Sequence, residues 1–260
     1  MLTGKFGVTI ARNARGRVAL ARAQGWARLL GAIFIERPHN MSVEEILQKY
    51  DLTALIVGEN QGPRIHSAAG SFAYHPGMAV LRLAQLKRGA KEHLLEALAL
   101  KPGARVLDAT MGLAADAAIA AYAVGEAGNV VGLEASPLLH FAVSYGLAHY
   151  EAEDNDLTQA LRRIRPVQAL AADYLAECAA NSFDVVYFDP MFRHPVNGAN
   201  AMEALRPLAY EAPLNKRTLE LAKRVAPRVV IKERGEYILR EYGCKKIIGG
   251  KYSRVKYGVL

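Results

Sequence analysis

Phe183-Asp184-Val185-Val186-Tyr187-Phe188-Asp189-Pro190-Met191-Phe192 is the stretch from which the rest of the chain is best read. An apolar run rich in β-branched and aromatic side chains, stopped by Asp-Pro, has the pattern of a buried strand. Ending in acid, proline, any residue and an aromatic, it offers a carboxylate, a backbone carbonyl with no adjoining donor, and a flat ring at its carboxyl end. Ligands of open α/β sheets bind at that edge. The set suits a planar amine: Asp189 and the Pro190 carbonyl accept its two protons, and Phe192 stacks on the ring that carries it.

Upstream, Arg105-Val106-Leu107 runs into Asp108-Ala109-Thr110-Met111-Gly112-Leu113-Ala114-Ala115-Asp116 and then an alanine-rich helical pattern. A nucleoside ligand needs a tight loop after the first strand, where side chains would block backbone approach. This loop keeps one glycine, Gly112, of a G-x-G-x-G pattern. Pyrophosphate binding relies on closely spaced glycines before a helix N-terminus, so a nicotinamide enzyme is disfavoured. S-adenosylmethionine carries no phosphate and tolerates such a loop, with Asp108 placed to attract its ammonium group. Asp116 is read as a second loop acid or as a helix cap. Glu134, closing Val130-Val131-Gly132-Leu133 and followed by Ala135, is expected to accept ribose hydroxyls from the tip of the second strand. Asp173 and Tyr174, after the third strand, are expected beside the adenine.

Around these segments the pattern alternates. Strands are expected at 105–108, 129–134, 167–170, 183–188 and 228–232, with helices at 116–124, 137–150, 157–164 and 218–225. Alternation at this spacing requires parallel strands and right-handed crossovers. Two helices, 78–87 and 91–99, precede it. Cys244 to Ile248 and Tyr252 to Val259, separated by a Gly-Gly turn, suggest a closing antiparallel pair. The expected fold is α/β, a three-layer Rossmann-like sheet, mostly parallel with one antiparallel strand, over residues 76–260. Residues 1–75 read as a small N-terminal α/β domain. It has a helix at 17–30, strands near 6–10, 32–35 and 54–57, a turn over 58–63, and a capping box at Ser42 and Glu45 opening a short helix to Tyr50.

The 260 residues are 52% hydrophobic and 22% charged, ordinary for a globular protein, but 33 basic residues against 25 acidic give a net charge of +8. A basic surface concentrates polyanions and favours nucleic acid as partner. The two cysteines, Cys178 and Cys244, lack metal-site or disulfide-framework spacing, and the seven histidines include no H-x-x-x-H pair, so no metal is expected. Without an apolar leader or a membrane-length uncharged run, the chain reads as cytoplasmic.

The chemistry that follows is methyl transfer to an exocyclic amine of a nucleic-acid base. Such an amine is a poor nucleophile because its lone pair is delocalised into the ring. Acceptors preorganised on both protons favour the pyramidal form that frees the pair, and stacking aligns it with the donor. A paired base cannot reach such a pocket, so the target is extruded or single-stranded. Met191 lines the base pocket in this reading, Arg193 and His194 lie where they engage phosphate, and Lys232, closing Val229-Val230-Ile231, points toward the same edge.

These residues resemble a known group. D-A-T-x-G-L at 108–113, the acid after the second strand, Y-F-D-P-M-F at 187–192 and V-I-K at 230–232 are similar to the small-subunit ribosomal RNA guanine-N2 methyltransferase J family, within the class I S-adenosylmethionine-dependent methyltransferases. D-P-M-F is an uncommon form of the D/N-P-P-Y/F motif. The resemblance covers about 105–235 well and implies a seven-stranded sheet, a small N-terminal domain, S-adenosylmethionine as cofactor and methylation of guanine N2 in 16S rRNA. The chain departs from the family at Ala114, where it usually has glycine, and at Arg193-His194, where proline-histidine often stands. The alternatives are an adenine-N6 methyltransferase of DNA or RNA with the same motif, and a non-catalytic RNA-binding assembly factor.

Overall fold

The expected alternation becomes two separate sheets in the computed structural model, which describes residues 4–14, 16–190 and 213–260. The described residues up to Tyr74, together with Ser136–Gly146, form one compact unit, and the remaining described residues form the other.

The first unit contains β1 (Phe6–Ile10), α1 (Arg17–Leu30), β2 (Ile33–Phe34), α2 (Val43–Lys49), β3 (Ala54–Glu59), β4 (Gly62–Ser67) and β5 (Gly70–Ala73). Their sheet has the order β2-β1-β3-β4-β5, parallel through β3 and antiparallel beyond it. The segment expected as a turn over 58–63 is instead the end of β3, a two-residue turn and the start of β4, with Glu59 facing Gly62. A second two-residue turn, between Ser67 and Gly70, adds β5. The capping box forms as expected. The Glu45 N–H donates to Ser42 Oγ at 3.1 Å and the Ser42 N–H to the Glu45 carboxylate at 2.6 Å. Trp26 on α1 meets Phe141 and Tyr145 edge-on, with centroids 5.6 and 5.5 Å away, a favourable aromatic geometry.

The second unit is built from α3 (Gly77–Lys87), α4 (His93–Leu98), β6 (Arg105–Asp108), α5 (Ala115–Val124), β7 (Asn129–Glu134), α7 (Asn155–Arg163), β8 (Ile164–Gln168), α8 (Ala171–Glu177), β9 (Val185–Phe188), α9 (Lys216–Val225), β10 (Val229–Glu233), α10 (Glu236–Glu241), β11 (Lys246–Ile248) and β12 (Lys256–Val259); α6 (Pro137–His149) lies between β7 and α7. The seven strands run β11-β12-β10-β9-β6-β7-β8. All neighbours are parallel except β12, which is antiparallel to both β10 and β11. This is the Rossmann-like class I arrangement. The third parallel strand starts earlier than the pattern suggested, at Ile164 rather than 167, and the fourth starts later, at Val185 rather than 183.

The central strands read as continuous apolar runs because both faces are covered. Leu107, Val186, Phe188 and Ile231 are wholly buried in one cluster with Leu219, Ala222 and Val225 of α9. Apart from Asp116, α5 is apolar on nearly every side, with seven of its ten residues buried, as a helix inside a large core must be. From β6 the chain moves outward through β7 and β8, then returns to β9 on the other side of β6. That reversal opens a crevice at the carboxyl ends of β6 and β9.

Candidate active site

Both sequence segments that carried the chemistry end at this crevice. β6 closes at Asp108, whose Oδ1 accepts the Thr110 N–H at 3.1 Å. The next N–H, of Ala109, donates to the Tyr187 carbonyl of β9 at 2.8 Å, and the Met111 N–H donates to the Leu133 carbonyl of β7 at 2.8 Å. The loop is thus tied to both neighbours of β6. Gly112 and Ala114 turn it with φ of 50° and 62°. Left-handed backbone costs an alanine roughly 1–2 kcal/mol more than a glycine, yet here alanine holds the position, with its methyl buried. Gly132 of β7 has a specific reason to be glycine, since a Cβ there would stand 2.2 Å from Met111 Sδ.

Asp189 follows β9 directly. Its backbone N–H donates to Thr110 Oγ1 at 2.5 Å, joining the aspartyl-prolyl corner to the β6 loop. Its Oδ2 accepts from Lys232 Nζ at 2.7 Å, and the same ammonium donates to Asp116 Oδ2 at 2.9 Å. Asp116 Oδ2 also accepts the Tyr187 hydroxyl at 2.8 Å, while Asp116 Oδ1 accepts from Arg82 of α3. Arg82 in turn grips Glu92 with Nε and Nη2 at 3.0 and 3.1 Å. The result is a chain of alternating charge, Glu92, Arg82, Asp116, Lys232, Asp189, leading from the helices to the crevice.

Electrostatics separates the three aspartates. Burial raises the Asp108 carboxyl well above the usual range, with the Asp116 charge adding to the rise. Burial also opposes ionisation of Asp116, but the Lys232 ammonium and Arg82 guanidinium outweigh it and hold the carboxyl down at about 2. For Asp189 burial prevails: Lys232 pulls down, Asp116 pushes up, and the carboxyl sits at about 6. About a quarter of the Asp189 side chain remains open to solvent, 27%, and that opening works against the rise. Lys232 loses charge stability to burial but gains more from Asp116 and Asp189, so it remains a cation.

Several expected residues take other places. Asp116 is neither a cap nor a loop acid open to a ligand: the N-cap of α5 is Ala114, and both Asp116 oxygens are taken by protein donors. Lys232 does point to the same edge, where its ammonium is committed to two carboxylates. Asp173 and Tyr174 belong to the first turns of helix α8 rather than to a loop. Asp173 is exposed there, and the Tyr174 hydroxyl accepts from Arg165 at 3.2 Å. Glu134 stands buried at the end of β7, with half-buried Ala135 after it. Pro190 is buried; Met191, Phe192, Arg193 and His194 lie outside the described residues. Arg82 and Tyr187 were missed as partners. A tyrosine inside an apolar strand had signalled that its hydroxyl needed one.

Taken together, the edge presents Asp108, Glu134 and Asp189 around a loop with one glycine, an acceptor set that suits a cationic, phosphate-free nucleoside. Among the described residues no group of acids, histidines or cysteines is arranged to hold a metal ion, and no helix is long and apolar enough to cross a membrane.

Known proteins share this frame. A crystal structure of a SAM-dependent methyltransferase from Neisseria gonorrhoeae superimposes with a TM-score of 0.64 over 98% of this chain and 95% of its own, at 16% identity, a likeness of fold. The uncharacterized protein YpiP of Bacillus subtilis is 34% identical over 223 residues, 85% of this chain and 87% of its own length. Ribosomal RNA small subunit methyltransferase J of Laribacter hongkongensis is 36% identical over 153 residues, 55% of this chain; the alignment spans about half of that relative, 52%. Residues 68–256 match the sequence model of a family described as "Putative SAM-dependent methyltransferase". The chain belongs to that family: it is a class I methyltransferase whose cofactor is S-adenosylmethionine.

Proposed function

We propose that this enzyme methylates an exocyclic amine of an RNA base, guanine N2 of the small-subunit ribosomal RNA being the target best supported. The observation that carries the proposal is the aspartyl-prolyl corner beside the β6 loop, with the Asp189 N–H on Thr110 Oγ1 at 2.5 Å and its carboxylate steadied by Lys232 at 2.7 Å. The relatives named ribosomal RNA small subunit methyltransferase J and the net charge of +8 support an RNA substrate.

S-adenosylmethionine, when bound, supplies a methyl carbon made electrophilic by its sulfonium. In this proposal Asp108 and the loop Ala109, Thr110 and Gly112 hold its amino-acid end, Glu134 with Ala135 its ribose, and Asp173 with Tyr174 its adenine. Asp116 acts at one remove, by holding Lys232. The substrate amine donates one proton to Asp189 and the other to the Pro190 carbonyl. Phe192 stacks on the base, Met191 walls the pocket, and Arg193 and His194 contact the RNA backbone. The acceptors stabilise the positive charge that develops on nitrogen in the transition state. Asp189, poised near neutrality, is suited to take up the proton released afterwards.

The test is incubation with labelled cofactor and small-subunit RNA lacking endogenous modification, followed by identification of the labelled nucleoside. N2-methylguanosine is expected. Asp189→Ala is expected to abolish transfer while retaining S-adenosylhomocysteine binding, and label on any other atom, or transfer by that variant, defeats the assignment.

A further inference from the structure

The sheet edge that carries Asp189 continues past it. Register places Phe188 of β9 opposite Ile231 of β10, and Lys232 opposite Tyr257 of β12. β11 runs parallel to β10, since both are antiparallel to β12. The loops after β10 and β11 therefore leave from the edge where the aspartyl-prolyl corner lies. With strands about 4.8 Å apart, β12 stands roughly 10 Å from β9.

Each of these connections leads to an exposed tyrosine, one in the first turn of α10 and one in the β11–β12 turn. Tyr237, just past β10, is 65% exposed and Tyr252, in the β11–β12 turn, is 90% exposed; no other aromatic among the described residues stands out so far from the surface. Neither is an unsupported tip. Tyr237 lies against Gly235, where a Cβ would come within 2.9 Å of ring atom Cε1, so the ring packs close to backbone. The Tyr252 turn is closed by the Ser253 N–H on the Gly250 carbonyl at 3.0 Å, and by Lys256 Nζ on the same carbonyl at 2.6 Å. Lys251 Nζ sits 5.6 Å from the Tyr252 centroid. From Tyr242 to Leu260 the chain has five basic residues, Lys245, Lys246, Lys251, Arg254 and Lys256, and no acid.

We propose that these two loops are a stacking platform for single-stranded RNA, with Tyr237 and Tyr252 receiving bases that flank the methylated one, and Lys251 and Arg254 meeting the intervening phosphates. An exposed ring beside cations, as at Tyr252, is the arrangement by which single strands are bound without base pairing; Tyr237 stands among both signs, Arg234 and Arg240 with Glu236 and Glu241, and contributes its ring. A lysine-bearing edge strand alone is explained by protection against edge pairing; exposed aromatics work against such protection and call for a ligand. The proposal rests on the RNA reading given above but is tested apart from it.

The probe is a short fluorescein-labelled single-stranded oligoribonucleotide, titrated without cofactor at fixed ionic strength, with heparin as a polyanion lacking bases. Tyr252→Ala and Tyr237→Ala are each expected to weaken RNA binding about tenfold, with heparin binding, thermal stability and S-adenosylhomocysteine binding unchanged. Tyr252→Phe and Tyr237→Phe should bind within twofold of the parent. Undiminished RNA affinity in both alanine variants overturns the platform, as does an equal loss toward heparin. Ring-dependent RNA binding without methyl transfer would sink the proposed function and leave the platform standing; methyl transfer with ring-independent binding would do the reverse.

Discussion

The Lys232 ammonium bridges Asp189, at 2.7 Å, to the fully engaged Asp116, at 2.9 Å. In the proposed function Asp189 accepts from substrate as a carboxylate, and its carboxyl sits at about 6, so kcat/KM should rise through pH 6 and level off above it. Two variants should move that limb in opposite directions. Lys232→Met removes the charge that lowers Asp189 and shifts the limb to higher pH. Asp116→Asn removes a charge that raises it and shifts the limb lower. Among the described residues Asp108, Tyr187, Tyr257, Arg82 and Glu92 also bear on this centre. A pH–rate profile unmoved in both variants would refute the role assigned to the ammonium.

Gly132 and Met111 should be coupled. A Cβ at Gly132 would meet Met111 at Sδ, Cγ and Cβ, at 2.2, 2.8 and 3.1 Å, so Gly132→Ala must displace the loop proposed to hold the cofactor. We expect S-adenosylhomocysteine affinity to fall about tenfold in Gly132→Ala and to recover most of that loss when Met111→Ala is added, a coupling of about 1 kcal/mol. Calorimetry on the four proteins of the cycle checks it; additive losses would show that the contact does not govern the loop.

At Ala114, φ of 62° lies in the left-handed region. Glycine there relieves strain but gives up a buried methyl and adds freedom to the unfolded chain, so Ala114→Gly should be near neutral. Ala114→Val places a β-branched side chain where it scarcely fits and should cost more than about 2 kcal/mol. Urea unfolding of both variants decides the matter.

The Tyr187 hydroxyl donates to Asp116 at 2.8 Å in the interior. Tyr187→Phe should cost about 1.5–3 kcal/mol, the range for hydrogen bonds to charged groups, lowering Tm by roughly 2–4 °C per kcal/mol. Asp116 is held down at about 2, so its stabilising effect is present above its unfolded value of 3.8 and lost as pH falls toward 2. Acid unfolding of Tyr187→Phe should accordingly begin at higher pH than in the parent.

Legibility followed burial. β6, β7, β9 and β10 are covered on both faces, and their apolar runs announce them. β8 is an edge strand containing Pro166, opposite Gly132; proline at an edge is permitted but weakens the apolar signal, and the expected start slipped. The β3–β4–β5 meander was hidden because Gly62, Pro63 and Gly70 read as punctuation, although two-residue hairpin turns use such residues. Asp108, Glu134 and Asp189 were legible as strand-end acids because each closes an apolar run, and they stand at the ends of β6, β7 and β9. The partnership of Arg82 with Asp116 spans 34 residues and leaves no local trace; with it went the commitments of Asp116 and Lys232.

The Ala109 N–H on the Tyr187 carbonyl and the Asp189 N–H on Thr110 Oγ1 splice the two halves of the crevice, the first through main-chain atoms alone and the second through one threonine hydroxyl. Under the proposed function, a lineage retaining that splice keeps the spacing between methyl source and acceptor while its target changes.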